Sequence, residues 1–413
     1  MQAIGRLGLG GLVIVLAACG ATRVHPLGDV NDGGRESAGS GGSGGSGASA
    51  GGGLGGMSGG VGGIALGGSE YGGPAGTGSG VSGCGSPPEP SCAECQHLAE
   101  ANDVRGFAAT AASVYWIEHG TQNDLDELND DGRVMAVTLG SHKGVALVTA
   151  LPAPVGLGIS ALYAYVFLEN HGAPVLRRYP LDRGEPEDVA AYPKSQQFVS
   201  EQPAFAATDK YAYFQLGNEL HRIPEQKGSK EELVATFTEP MLGIAGDETC
   251  GYFRTLAGVY RVDAPGATPF LIAELPVAHA VDGATGMPYD DPLVTSLRLS
   301  GDRFYGVELG GDKNYLGGLP KVGGSWKRVA RLDGLYDAQA LNDGFFGTAY
   351  GIAEYDLSIV HGSFAAPTEH SNLATFPRGG VCNGRPPFQP PWVPTTEGVY
   401  WATQTNVYFT KTL

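Results

Sequence analysis

The chain has 413 residues and carries 43 acidic against 26 basic side chains, a formal net charge of −17. This balance argues against a nucleic-acid partner and against electrostatic binding to an anionic membrane surface, because both attract basic proteins. Glycine is abundant, with 67 residues, and a large share of it lies between residues 33 and 85. The composition therefore predicts an acidic protein with a low-complexity segment near its start.

The first residues predict an export signal. Arg6 precedes a short apolar run, Leu7 to Leu16, which is shorter than a membrane-spanning helix needs. The sequence Leu16-Ala17-Ala18-Cys19 resembles a bacterial lipobox. That resemblance implies a signal peptide over residues 1–18, cleavage before Cys19 and lipid attachment to its thiol, with an ordinary secretory signal as the alternative. Gly20 in place of aspartate favours the outer membrane, on its periplasmic face or at the cell surface.

Residues 19–90 read as a disordered linker rich in glycine and serine. Such a segment has too little apolar side chain to offset the entropy lost on ordering. A flexible coil of this composition reaches roughly 45 Å between its ends. We expect residues 91–413 to form the folded domain, held to the membrane through lipid alone and monomeric.

Pairs of aromatic residues recur through the domain at intervals of 41 to 55 residues. They are Tyr115-Trp116, Tyr163 with Tyr165, Tyr211 with Tyr213, Tyr252-Phe253, Phe304-Tyr305, Phe345-Phe346 and Tyr400-Trp401. A strand of small residues ending in a polar turn precedes several of these pairs, and two further strands follow. Four short strands per repeat are typical of a propeller blade.

The seventh repeat is one strand short at the C-terminal end. The segment His97-Leu98-Ala99-Glu100 has the pattern of a last strand and stands just before the first repeat. We therefore predict an all-β fold, a β-propeller of seven four-stranded blades closed by a terminal strand, which removes an exposed sheet edge. Six or eight blades, or a pair of β-sandwiches, are the alternatives. The pattern resembles the broad class of bacterial extracytoplasmic propellers with Tyr-Trp strands, which implies the fold and no catalytic residue.

Three enlarged loops fall on the face where the second and third strands of each blade connect. The first spans residues 119–132 and contains Asp124, Asp126, Glu127, Asp130 and Asp131. The second spans residues 276–292 and contains Asp282, Asp290 and Asp291, and the third spans residues 308–318 and contains Asp312. Oxygen ligands of this kind suit calcium, so Asp124, Asp126, Asp130 and Asp131 form a candidate calcium site. A solvated acidic loop is the alternative, because the spacing does not match an EF-hand.

Five cysteines remain besides Cys19, and an oxidising compartment permits disulfides. Cys92 and Cys95 have the C-x-x-C spacing of redox or zinc sites, but no second pair completes a zinc site, which favours a structural disulfide. Because ring closure places Cys95 near blade seven, where Cys382 also lies, we predict a Cys95–Cys382 bond. Cys84–Cys92 would then be the local pair, with Cys250 free.

No catalytic motif stands out in the domain, and no catalytic residue is assigned. The nine histidines show no zincin spacing, and serine and histidine are scattered. The sequence therefore favours a non-enzymatic module that binds a protein or glycan on its loop face. A hydrolase or lyase acting on a glycan or other polymer, with or without a metal, is the alternative, and the fold cannot decide between them.

Overall fold

The computed structural model describes residues 90–412, apart from 93, 122–128, 142, 194–203, 257, 282–287, 293, 311–312, 351–355, 377–390 and 404. The predicted signal peptide, Cys19 and the linker up to residue 89 lie outside the described residues and stay predictions, and Cys84 and Cys382 lie outside them too. Among the described residues, no helix is long and apolar enough to cross a membrane.

Seven four-stranded antiparallel sheets form a ring, and one extra hairpin lies between the fourth and fifth. This confirms the predicted all-β propeller and its blade number. The strand β1 (Cys95–Glu100) precedes blade 1, which comprises β2 (Val104–Ala109), β3 (Ser113–Glu118), β4 (Gly132–Thr138) and β5 (Val145–Leu151). Blade 2 comprises β6 (Pro154–Ile159), β7 (Tyr163–Leu168), β8 (Val175–Pro180) and β9 (Glu187–Ala191). Blade 3 comprises β10 (Phe205–Ala207), β11 (Tyr211–Leu216), β12 (Glu219–Pro224) and β13 (Glu232–Thr236).

The remaining blades repeat this order from the centre of the ring outwards. Blade 4 comprises β14 (Gly243–Gly246), β15 (Gly251–Arg254), β16 (Gly258–Val262) and β17 (Phe270–Glu274), and the hairpin comprises β18 (Val277–Val281) and β19 (Pro288–Pro292). Blade 5 comprises β20 (Val294–Ser300), β21 (Arg303–Gly310), β22 (Lys313–Pro320) and β23 (Lys327–Arg331). Blade 6 comprises β24 (Leu335–Leu341), β25 (Gly344–Tyr350), β26 (Leu357–Ser363) and β27 (His370–Phe376), and blade 7 begins with β28 (Trp392–Pro394), β29 (Gly398–Ala402) and β30 (Asn406–Lys411).

The aromatic pairs lie on the second strand of every blade. Neighbouring residues of a strand point to opposite faces of the sheet, so an adjacent pair sends one ring towards each neighbouring blade. Trp116 packs in a cluster with Tyr400 of blade 7, whereas Tyr115 packs with Leu157 of blade 2. The repeat seen in the sequence is therefore the repeat of the contacts between blades.

Polar residues end the first strand of several blades and close the turn to the second. Thr208, for example, accepts hydrogen bonds from the backbone N–H groups of Lys210 and Tyr211 at 3.2 and 3.0 Å. Short side chains of this kind satisfy the backbone of a tight turn. The same arrangement occurs at Thr110, Ser160 and Asp247.

The terminal strand closes blade 7 as predicted. β1 pairs antiparallel with β30, in the order β1-β30-β29-β28, so three strands come from the C-terminal end and one from the N-terminal end. The chain before β1 crosses to the neighbouring blade, where Ser91 and Thr375 exchange two backbone hydrogen bonds of 2.9 Å. The N-terminal segment therefore contacts the outer strands of blades 6 and 7.

The predicted disulfide pairing is wrong. Cys92 is bonded to Cys95, with their Cα atoms 5.7 Å apart, so Cys95 does not pair with Cys382 and Cys92 does not pair with Cys84. Closing a loop between residues three apart costs little entropy, and the turn between Ser91 and β1 brings these two side chains together. Cys250 is disulfide-bonded rather than free.

Candidate functional site

The connections on the two faces of the ring differ in length. In an antiparallel blade the turn between second and third strands lies at the same face as the connection into the first strand. The long connections fall at this face, over residues 119–131, 192–204, 275–293 and 377–391. The opposite face carries short turns such as 110–112 and 160–162. We call the first the loop face, and long loops on a rigid scaffold are where function concentrates.

Two of the three predicted loops are present, and one is not. The segment 119–131 is a long connection, and 275–293 includes the hairpin β18–β19. The segment 308–318 is instead a tight hairpin, because β21 and β22 stay paired as far as Gly310 and Lys313. Asp312 lies outside the described residues.

Three charged side chains meet where the chain enters blade 1. The Arg105 guanidinium donates through Nε and one terminal nitrogen to Asp103 Oδ2, at 2.9 and 2.6 Å. His119 is buried, and its Nδ1 lies 3.5 Å from the same oxygen. Burial acts to raise the pKa of Asp103, but the hydrogen bonds and charges of His119 and Arg105 outweigh it and leave that pKa below its ordinary value. Asp103 therefore stays ionised and orients the His119 ring.

Glu118 anchors the loop beside this group. Its carboxylate is buried and accepts hydrogen bonds from the Trp116 indole at 3.1 Å, from Arg133 Nε at 2.8 Å and from the Asn102 backbone at 3.2 Å. A buried carboxylate needs such partners. Glu118 thus joins the connection into blade 1 to both strands that carry the 119–131 loop.

His119, Glu169 and Gln215 occupy the same structural position in blades 1, 2 and 3. Each lies at the loop-face end of the second strand, and its backbone N–H donates to the residue before the first strand. The acceptors are Asp103 O at 3.0 Å, Ala153 O at 3.1 Å and Ala204 O at 3.0 Å, respectively. The ring therefore presents these three polar side chains at one level, near its inner strands.

Glu169 is half-buried beside the charges of blade 1. Burial raises the pKa of its carboxyl above the usual range, although the charges of His119 and Arg105 act to lower it. Partly buried ionisable groups whose pKa values are shifted by burial and by neighbouring charges mark candidate functional sites. We call the group Asp103, Arg105, His119 and Glu169 the blade 1–2 corner.

Backbone strain is concentrated at this corner. Seven described non-glycine residues have positive φ, and five of them lie at the loop-face ends of blades 1 and 2. These five are Asp103, Ala150, Ala153, Asn170 and His171. Such conformations cost on the order of 1–3 kcal/mol each and cluster at functional sites.

The residues predicted to bind calcium are only partly described. Asp124 and Asp126 lie outside the described residues. Asp130 contacts His171 Nε2 of blade 2 at 2.9 Å, and Asp131 accepts hydrogen bonds from the Thr121 backbone at 2.8 Å and hydroxyl at 2.7 Å. Calcium binding stays a prediction, and a calcium-dependent rise in melting temperature would test it.

A second polar group lies on the inner strands of blades 5 to 7. Arg298 donates to both carboxylate oxygens of Asp337 at 3.0 and 2.8 Å and to Gln339 at 3.1 Å. Its guanidinium carbon lies 5.7 Å from the centre of the Trp392 ring. These contacts join three successive blades across the channel side of the ring. We assign this group to ring stability, because Asp337 and Gln339 satisfy the guanidinium.

The sequence did not single out His119 or Glu169 as functional. No motif joins them, because their relation depends on the shared position in consecutive blades. The sequence feature that could have pointed to them is their position, because each follows the second strand of its blade directly, at the start of a loop.

A scan against protein-family models found no match, and a search of curated proteins found none. Among solved structures, the chain is similar to virginiamycin B lyase from Staphylococcus aureus, with 14% identity, TM-score 0.49, and coverage of 79% of this chain and 100% of that one. It is similar to oligogalacturonate lyase from Vibrio parahaemolyticus at 10% identity and TM-score 0.49, over 79% of this chain and 98% of that one. TolB from Acinetobacter baumannii matches at 10% identity and TM-score 0.39, over 65% and 64% of the two chains. These likenesses leave the activity of the chain open.

Proposed function

We propose that this protein is a lipid-tethered binding module of the bacterial envelope, which captures a protein or glycan on its loop face. The observation that carries the proposal is the concentration of the long connections on that one face. The short turns of the opposite face are occupied by hydrogen bonds within the chain, as at Thr208.

The predicted linker fits this role. A flexible segment of this composition reaches roughly 45 Å, which lets the ring stand clear of lipid head groups and search for a ligand. The acidic domain disfavours anionic partners, so neutral glycans and basic protein surfaces suit it best.

Ligand capture from envelope extracts, followed by binding to purified candidates, tests the proposal. Replacing residues 277–292 with a short glycine-asparagine turn should abolish capture, since it removes an entire loop-face hairpin. The control changes Leu162, which is 54% exposed on the opposite face, to serine and should leave capture intact. Capture that survives the first change and is lost in the second would contradict the proposed face.

The tether has its own test. Cys19→Ala should block lipid attachment and leave unprocessed precursor, measured by labelling with a radioactive fatty acid and by membrane fractionation. Processing and membrane location equal to those of the unchanged chain would contradict the lipid anchor without affecting the binding proposal.

A further inference from the structure

We propose that the blade 1–2 corner is a hydrolytic site, in which His119 activates a water molecule and Glu169 protonates the leaving group of an uncharged ester. This inference goes beyond ligand capture and does not depend on it. It rests on the contacts of Asp103, Arg105, His119 and Glu169.

His119 is placed as a general base. A carboxylate facing Nδ1 favours the tautomer with the proton on that nitrogen, and Asp103 Oδ2 lies 3.5 Å from it. The lone pair is then on Nε2, which makes no hydrogen bond to the described residues. The hydrogen bond from the His119 backbone N–H to Asp103 O, at 3.0 Å, holds the main chain of His119 beside Asp103. A ring held in this way can remove a proton from water.

Glu169 is placed as a general acid. Burial raises the pKa of its carboxyl, so the group keeps its proton at a higher pH than an exposed glutamate does. It stands in blade 2 at the position that His119 occupies in blade 1. The charges of His119 and Arg105 act on its carboxyl, which places it beside the proposed base.

Arg105 supplies positive charge at the same place. Two of its three nitrogens bond to Asp103, and the remaining terminal nitrogen has no described partner. A fixed donor of this kind stabilises an oxyanion as it develops.

The hydrolysis balances with water alone. The water oxygen bonds to the carbonyl carbon as Nε2 takes a proton, and the carbonyl oxygen becomes an oxyanion facing Arg105. The bond between carbon and the alcohol oxygen then breaks, and Glu169 gives its proton to that oxygen. Proton transfer from His119 to Glu169 through solvent restores both groups, and the products are an acid and an alcohol. Uncharged esters fit best, because the chain carries a net charge of −17 that repels anionic ones.

Two probe esters separate the two roles. p-Nitrophenyl acetate has a leaving group that departs without protonation, whereas glyceryl triacetate releases an alkoxide that needs a proton. With the full chain, His119→Gln should slow both hydrolyses by about 100-fold, and Glu169→Gln should slow only that of glyceryl triacetate by a similar factor. The matched control is His221→Gln, since His221 is also buried and paired with a carboxylate, at 3.0 Å, but lies on blade 3; it should leave both rates unchanged.

Melting temperatures close to that of the unchanged chain must accompany the two losses. The proposal would be overturned if the unchanged chain hydrolysed both esters no faster than buffer alone. So would a folded His119→Gln variant with full activity, or a Glu169→Gln variant that slows both esters equally. Loss of hydrolysis with ligand capture retained supports the inference, whereas capture lost with hydrolysis retained would contradict only the proposed binding function.

Discussion

Two adjacent arginines on β8 differ in how they contribute to the stability of the fold. Arg178 is fully buried between blades 2 and 3, where it bonds to Glu187 and donates to the carbonyl oxygens of Pro224 and Gln226 at 3.1 Å. Arg177 points the other way and pairs with a largely exposed Asp188. The alternation of side chains along a strand separates the two roles.

We therefore expect Arg178→Ala to lower the free energy of unfolding by about 3 kcal/mol, because it removes a buried guanidinium and leaves its three part-buried acceptors, in both blades, without their donor. Arg177→Ala is the matched control and should cost less than about 1 kcal/mol, since exposed ion pairs contribute little. Urea denaturation measures both values. Equal losses in the two variants would show that Arg178 does not hold the blades together.

Asp247 gives a prediction for pH. Burial acts to raise its pKa, but hydrogen bonds from Thr249 and Cys250 and the charge of Lys321 outweigh burial and leave it below the ordinary 3.8. A depressed carboxylate pKa stabilises the fold above 3.8, and that contribution is lost as the pH falls through the native value.

Asp247→Asn should accordingly lower the free energy of unfolding by about 2 kcal/mol at neutral pH, and the difference should shrink in acid. Denaturation curves at neutral pH and at a pH below 3.8 measure this difference. Asp209→Asn, in the equivalent turn of blade 3, is the control and should match the unchanged chain throughout. A difference for Asp247→Asn that is constant with pH would rule out the carboxylate charge as the cause.

At the scale of elements, the first strands need small residues because the blades approach closely there. A Cβ atom on Gly158 of β6 would overlap the Phe205 ring of β10, whereas one on Gly243 of β14 would meet no atom within 4 Å. Glycine is thus required for packing at the first position and not at the second.

Gly158→Ala should therefore destabilise the domain by about 1–3 kcal/mol, as overpacked cores do. Gly243→Ala should be neutral or stabilising by up to about 1 kcal/mol, because it restricts the unfolded chain. Thermal unfolding distinguishes them, and a neutral Gly158→Ala would mean that blades 2 and 3 separate without cost.

The blade repeat could be predicted because aromatic pairs and polar turns obey local rules. The disulfide could not, since ring closure suggested a bond across the domain, whereas Cys92 and Cys95 were already close along the chain. The segment 308–318 resembled a loop, but two strands extended by pairing with each other there. His119 and Glu169 were missed because their relation exists only between blades.

At the scale of the whole molecule, β1 turns an open row of blades into a closed ring. It pairs with β30 from Cys95 to Glu100, and the His97 ring contacts Asn406 Oδ1 at 3.0 Å. Without β1, the outer edge of blade 7 would be an unpaired strand, which is open to pairing with another chain. Leu98 and Ala99 also pack against the core between blades 7 and 1.

Deleting residues 96–101 should thus lower the melting temperature by about 5–10 °C and promote association, because it removes both the ladder and this packing. Deleting residues 33–80 of the linker is the control, and should leave the melting temperature unchanged, since it removes no strand of the ring. Differential scanning calorimetry and light scattering measure the two effects. Every blade packs against its neighbours in the ring, so opening the ring should destabilise the domain as a whole. The first deletion should therefore lower the midpoint of a single cooperative unfolding transition, with no separate transition at lower temperature. Equal melting temperatures for the two deletions would contradict closure by the terminal strand.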